Sequence, residues 1–292
     1  MSRYYLIPIF LFLLFIMGCL ISRSPDGVLV DLDAINLKPA SPGHLLGTDS
    51  MGRDVFTIAA LGARTSLSIG FAAALLAVSF GTVWGALGAM SGRIIGSLMM
   101  RVVDSMLSVP SLILLLAFSA LINRPEFTNH LPTIVEQLLG ISNYSLGLLP
   151  VVSVVSVIAA TSWLEAARIA YSRISAIRNE EYIEAARSLG LGTLAILRRH
   201  LIPNARGLIL IQATLLVSDA IVMEAGLSFL GLGLGPSTPS WGSMLRQAEA
   251  DIFFGNWWAP LVPAILISLT VLSVNMLGEK ALAPPDSSSR RT

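Results

Sequence analysis

Few side chains in this 292-residue chain could carry out chemistry, and their scarcity narrows its function. The single cysteine, Cys19, excludes an internal disulfide framework and any zinc site built on cysteines. The histidines are His44, His130 and His200, and none lies in a long apolar run. An intramembrane serine hydrolase would need a base at the depth of its nucleophile, and no histidine is available there. The lysines are Lys38 and Lys280, and neither precedes a serine or threonine. A phosphate-binding loop needs Gly-Lys-Ser/Thr, so the chain is not its own ATPase of that kind. The run Gly231-Leu232-Gly233-Leu234-Gly235 imitates a dinucleotide loop only superficially, because no strand–helix–strand pattern surrounds it.

The elements that position the remaining polar residues follow from composition. Hydrophobic residues make up 54% of the chain and charged residues 13%, against roughly 25% charged in soluble domains. Mean hydropathy is +0.75. A net charge of +1 offers no basic surface for nucleic acid. The chain therefore reads as an all-α, polytopic membrane protein. About 20 apolar residues cross the ~30 Å hydrocarbon core as a helix. Six stretches are expected to do so: Tyr5 to Ile21, Ser66 to Met90, Met106 to Ile122, Leu148 to Ala170, Leu208 to Leu230 and Ala259 to Leu277.

Arginine and lysine set the orientation, since short cytoplasmic loops retain them. With the N-terminus inside, thirteen fall on the inner side, Arg168 among them, and six outside: Arg23, Lys38, Arg53, Arg64, Arg124 and Arg246. Both termini are expected in the cytoplasm. Residues 1–22 form an N-terminal anchor, 23–61 an extracytoplasmic segment, 62–280 a helical core and 281–292 a cytoplasmic tail. The first span admits a second reading, in which Gly18-Cys19 is a lipoprotein cleavage site. The apolar run continues through Leu20 and Ile21, which favours an uncleaved anchor.

The inner connection 171–207 is not a plain linker. Ile174, Ile177, Tyr182, Ala185, Ala186 and Leu189 fall roughly on one helical side, with Arg178, Glu181 and Glu184 at i+3 spacing. Gly190 supplies a helix stop, and a second short helix, about Thr193 to Leu201, is expected to end at Pro203. Two short amphipathic helices of this kind suit docking.

These residues carry a resemblance. Glu184-Ala185-Ala186, then Gly190 and Pro203, resemble the EAA loop of ABC-importer permeases, although His200 and Ile202 depart from its isoleucine and leucine positions. Arg199-His200-Leu201-Ile202-Pro203-Asn204 is similar to the variant in the dipeptide/oligopeptide/nickel branch. Glu224 to Gly233 with Pro239-Ser240-Trp241-Gly242, and Leu46-Gly47-Thr48-Asp49 with Gly52-Arg53-Asp54, resemble further motifs of that branch, over about 44–280.

The resemblance implies a five-helix type I importer core plus the anchor, serving as the second, C-type permease subunit. It implies that Glu184, Ala185, Ala186, Gly190 and Pro203 couple to an ATPase. It also implies the partners: a homologous permease subunit, two ATP-binding subunits that use ATP and Mg, and an extracytoplasmic binding protein, all at a bacterial inner membrane. The cargo is expected to be di- or oligopeptides, with nickel or a metal chelate as the alternative. A gradient-driven carrier is the remote one. The chain itself is expected to be no enzyme and to bind no metal. Two departures stand out: a long loop at 123–147, and an ending from Gly278 to Asp286 without the family's charged pattern.

A charge at mid-membrane costs roughly 2.5–3.5 kcal/mol on insertion scales, so acidic residues in spans need partners. Arg101 is expected to pair with Asp104, and Arg168 with Glu165. Asp219 and Glu224 have no cation within a turn and face either another helix or a pathway; with Ser228 they are the gate candidates. Asp49, Arg53 and Asp54 are expected to brace the outer segment. Trp241, Trp257 and Trp258 read as interfacial anchors. The glycine series Gly81, Gly85, Gly88, Gly92 and Gly96 suits close helix packing, within the chain or between subunits.

Overall fold

The computed structural model describes residues 6–21, 30–122, 148–234 and 238–282. The loop 123–147 and the tail beyond Leu282 lie outside the described residues. The helices are α1 (Leu6–Ile21), α2 (Val55–Met90), α3 (Arg93–Leu107), α4 (Ser111–Ile122), α5 (Leu148–Arg178), α6 (Glu181–Ser188), α7 (Thr193–Phe229), α8 (Trp241–Gln247), α9 (Glu249–Phe253) and α10 (Trp258–Leu282). Among the described residues there are no strands, only isolated bridges such as Val30 with Arg53 and Thr48 with Asp54.

Four helices, α2, α5, α7 and α10, are long and apolar enough to cross a membrane, and a fifth crossing is counted if α3 and α4 are one bent span. The apolar α1 is shorter, at 16 residues. The expected span from Met106 to Ile122 is thus broken. Proline disfavours helix at the residue before it, and the chain bends by 89° between α3 and α4, around Pro110. Residues 93–105, expected to lie in a polar connection before that span, belong to the helix α3 instead. The α2 helix begins at Val55, well before the expected Ser66. Asp54 caps it, its carboxylate accepting from the Thr57 backbone N–H and hydroxyl, each at 2.8 Å.

The chain divides into two compact units. The first comprises Met1–Ala72, Leu115–Ile158 and Ser218–Ser273. Here Gly18 of α1 lies so close to α2 that an added Cβ would stand 2.1 Å from the Ala60 carbonyl oxygen. Trp241 is fully buried, and its indole N–H donates to the Ala59 carbonyl at 3.1 Å. Trp258 is also buried, donating to the Thr48 carbonyl at 3.2 Å. The indoles of Trp241 and Trp258 are therefore core struts, because each N–H finds a partner inside the protein. Of the three expected anchors only Trp257 is exposed, at 61%.

The second unit comprises Ala73–Leu114, Ala159–Val217 and Val274–Thr292. Its α2 and α5 segments meet through the glycine series. A Cβ at Gly81 would stand 2.5 Å from the Trp163 carbonyl oxygen, and one at Gly85 2.4 Å from that of Ala167. Gly96 of α3 similarly abuts the Gly88 carbonyl oxygen. Gly81, Gly85 and Gly96 thus serve packing within the chain, where lipid supplies no hydrophobic drive between helices. Phe80, Trp84 and Trp163 stack beside them, Phe80 and Trp163 edge-on at 4.8 Å.

Overpacking a tight contact costs roughly 1–3 kcal/mol. Gly85→Ala should therefore lower the thermal midpoint of the purified protein by several degrees, whereas Gly92→Ala, whose Cβ meets nothing within 4 Å, should not. Equal midpoints for the two variants would contradict the packing.

Candidate functional site

Three polar assemblies stand out, and each is built within one unit. The first is the loop after α5. Its apolar side matches the sequence pattern in part: Ile174, Ile177 and Ala186 are buried, whereas Tyr182, Ala185 and Leu189 are exposed. Ile174 and Ile177 at the end of α5, Ile183 and Ala186 on α6, and Ile196, Leu201 and Ala205 along α7 form one buried cluster with Ala86 and Ala89. Ile183, overlooked in the pattern, is fully buried, while Tyr182 and Leu189 are 45% and 81% exposed. An i, i+3 pair faces inward and the other side of α6 is left free.

That outward side carries Glu181, Tyr182, Glu184, Ala185 and Leu189. Gly190 adopts φ +84° and closes α6, its N–H donating to the Arg187 carbonyl while the Leu191 N–H donates to that of Ala186. Only glycine takes this conformation readily. The Arg178 guanidinium donates to the Ala89 carbonyl and pins the end of α5 to α2.

Pro203 does not end the helix. The five residues Leu197–Leu201 form a π turn, after which the helix continues from Ile202 to Phe229. A π turn widens the ring spacing locally, which makes room for a proline that has no N–H to donate. The Asn204 side-chain amide donates to the His200 carbonyl at 2.8 Å and to the Tyr182 hydroxyl at 3.1 Å, tying α7 to α6.

The second assembly surrounds Glu224, which is fully buried. The hydroxyls of Ser66 on α2 and Ser228 on α7 donate to its two oxygens, each at 2.8 Å. The Ser66 oxygen accepts from the Trp241 N–H at 3.1 Å, and the Ser228 oxygen from the Leu234 N–H at 3.3 Å. Gly242 sits where a Cβ would stand 2.6 Å from the Ala225 Cα, so α8 lies directly on α7. Ser240 and Ser243 form a capping box at the start of α8. Among the gate candidates, Glu224 and Ser228 are buried together and Asp219 is exposed.

The expected ion pairs within single helices are replaced in the second unit. The carboxylate of Asp104 faces Arg168 at 4.0 Å, and Glu165 accepts from the Gln212 amide at 3.5 Å. Side chains three apart on one helix compete here with better-placed groups on a neighbour.

The third assembly is the outer segment. Asp49 accepts from the N–H groups of Met51 and Arg53 and pairs with the Arg53 guanidinium at 2.6 Å. Arg53 also reaches the Gln247 amide oxygen on α8. Asp54 takes a different part: besides capping α2, it faces His44 at 3.1 Å. Asp49, Arg53, Gln247 and Asp251 line one cavity of about 20 Å³. Asp251 is 1% exposed, and neither of its oxygens has a hydrogen-bond partner of good geometry among the described residues. Burial holds its carboxyl above the ordinary value of 3.8, the Asp49 charge reinforces this, and Ser50 and Arg53 offset only part.

Such features define a class: a helical integral membrane component with a short amphipathic helix exposed in the loop after α5. The chain belongs to the family described as the binding-protein-dependent transport system inner membrane component, whose model matches residues 77–283. It is 35% identical over 274 residues to the dipeptide transport system permease protein DppC of Bacillus subtilis, covering 94% of this chain and 77% of that one. It is 33% identical to the oligopeptide transport system permease protein OppC of the same organism, covering 83% and 71%. The di/tripeptide permease protein DppC of Pseudomonas aeruginosa is 34% identical, with coverage of 83% and 72%. A structure of the MetNI methionine ABC transporter in an inward-facing conformation matches in fold, with a TM-score of 0.57 and 19% identity over 76% of this chain and 93% of that one.

Two predictions follow from the geometry. Glu224→Ala leaves two buried hydroxyls without an acceptor, at about 1–3 kcal/mol, and should lower the thermal midpoint more than Glu224→Gln does. A larger loss for the glutamine variant would contradict the network. Because the folded state holds the Asp251 proton more tightly than the unfolded chain, the stability this confers is complete below about 3.8 and is lost as pH rises through the raised value. Asp251→Asn should therefore be the more stable protein at neutral pH, with the gap closing on acidification; midpoints measured from pH 4 to 8 test this.

Proposed function

We propose that this chain is the C-type permease subunit of an ATP-driven importer for di- and oligopeptides at a bacterial inner membrane. The observation that carries the proposal is the exposed face of α6. Glu184 and Ala185 point outward while Ile183 and Ala186 hold the helix from behind. The peptide permeases among its relatives support the cargo.

In this reading Glu184 and Ala185 form the contact with one of two ATP-binding subunits, which use ATP and Mg; Ala186 seats the helix from behind, Gly190 closes it, and Pro203 sets the adjoining π turn. A homologous permease subunit completes the pathway. ATP binding draws the two coupling helices together and opens the pathway outward to a loaded binding protein. Asp219 is the pathway residue, while Glu224 and Ser228 brace the helix that carries it. Asp49, Arg53 and Asp54 brace the outer segment from within. Both termini lie in the cytoplasm in this reading, which the thirteen-to-six bias of cationic residues supports.

The test uses the tagged chain in its native membrane. Glu184→Trp and Gly190→Val should each reduce peptide uptake at least about ten-fold, the change expected of about 1.4 kcal/mol, with less ATPase subunit co-purified. Unchanged uptake and unchanged co-purification would overturn the coupling role. Uptake by this chain alone in vesicles without ATP would overturn the importer itself.

A further inference from the structure

The α3 helix has a face that the importer mechanism does not use. Its inner stripe is Gly96, Met100 and Val103, buried against Gly88 of α2 and against Leu164 and Ala167 of α5. A second stripe is apolar and open: Ile94, Leu98 and Val102 at i, i+4 and i+8 are 85%, 64% and 47% exposed, with Ile95 beside them at 59%. Between the two runs a polar arc of Arg93, Ser97 and Arg101, all exposed, while Ser105 stands at the C-terminal end of the apolar stripe. Asp104 also lies on the polar side, but its carboxylate faces Arg168 at 4.0 Å, so the arc presents net positive charge through Arg93 and Arg101.

Apolar side chains on one side with arginines along the adjoining edge suit a helix lying in the plane of a membrane interface. There the apolar stripe sinks to the acyl boundary while the guanidinium groups remain at the headgroups. The 89° turn between α3 and α4 takes α3 off the direction of the apolar helix that follows it. The α2 helix, which leads into α3 and is long and apolar enough to cross a membrane, exposes Leu76, Phe80, Val83 and Leu87. The geometry points to α3 as an interfacial helix that docks on the inner leaflet, with Ile94, Ile95, Leu98 and Val102 in the acyl boundary and Arg93 and Arg101 on anionic lipid phosphates. The choice of leaflet rests on the orientation proposed above.

The assembled transporter, carrying Cys19→Ser, is given one new cysteine at Leu98, Ile95 or Val102, labelled with a small fluorophore and placed in vesicles containing brominated lipids. The expected result is strong loss of emission with brominated phospholipid at all three positions. Brominated phosphatidylglycerol should quench more than brominated phosphatidylcholine, and the difference should vanish in Arg93→Gln with Arg101→Gln. Labels that ignore brominated lipid but cross-link to another subunit would overturn the proposal in favour of a subunit interface. Equal quenching by the two lipids would overturn the role of the arginines. A Ser97→Cys variant labelled by a membrane-impermeant reagent only from outside would overturn the proposed orientation and the inner-leaflet assignment, while quenching at Leu98 would still establish the lipid contact.

Discussion

A carboxylate within an apolar helix cannot rely on water, and the surroundings of Glu224 are arranged around that fact. Burying a polar group without a hydrogen bond costs several kcal/mol in hydrocarbon-like surroundings. Ser66 from α2 and Ser228 from one turn further along α7 supply the two hydroxyls. Ser66 in turn receives the first N–H of α8. One acidic residue thereby fixes the mutual register of three helices, which apolar packing alone would leave free to slide. The motif that carries Ser240, Trp241 and Gly242 makes physical sense here: a helix cap, a buried indole and a glycine that allows backbone contact with Ala225.

The same shortage of alternatives governs packing in the second unit. Helices in lipid gain nothing by hiding apolar surface from a medium that is itself apolar, so close backbone approach carries the association. Gly81, Gly85 and Gly96 permit that approach, and the cluster around Ile174, Ile183 and Leu201 then gives α6 a firm backing. The short α6 is held by two residues, Ile183 and Ala186, which leaves its other side exposed. The π turn at Leu197–Leu201 lets α7 begin beside α6 and still continue past Pro203.

Periodicity and composition alone determined that the chain is helical, that it lives in a membrane and that the loop after α5 carries short helices of its own. Those properties are written in runs of apolar residues and in local signals such as Gly190, where a positive φ is a matter of one residue's own backbone. Only the tertiary structure decided which polar groups meet. Trp241 and Trp258 look like interfacial anchors until the Ala59 and Thr48 carbonyls are placed beside them. Asp104 has Arg101 three residues away, yet it faces Arg168 from another helix. Pro203 reads as a stop because the π turn that accommodates it has no local signature. Such partnerships join residues that are tens to more than 150 positions apart, and nothing in a one-dimensional pattern records which helices will lie side by side.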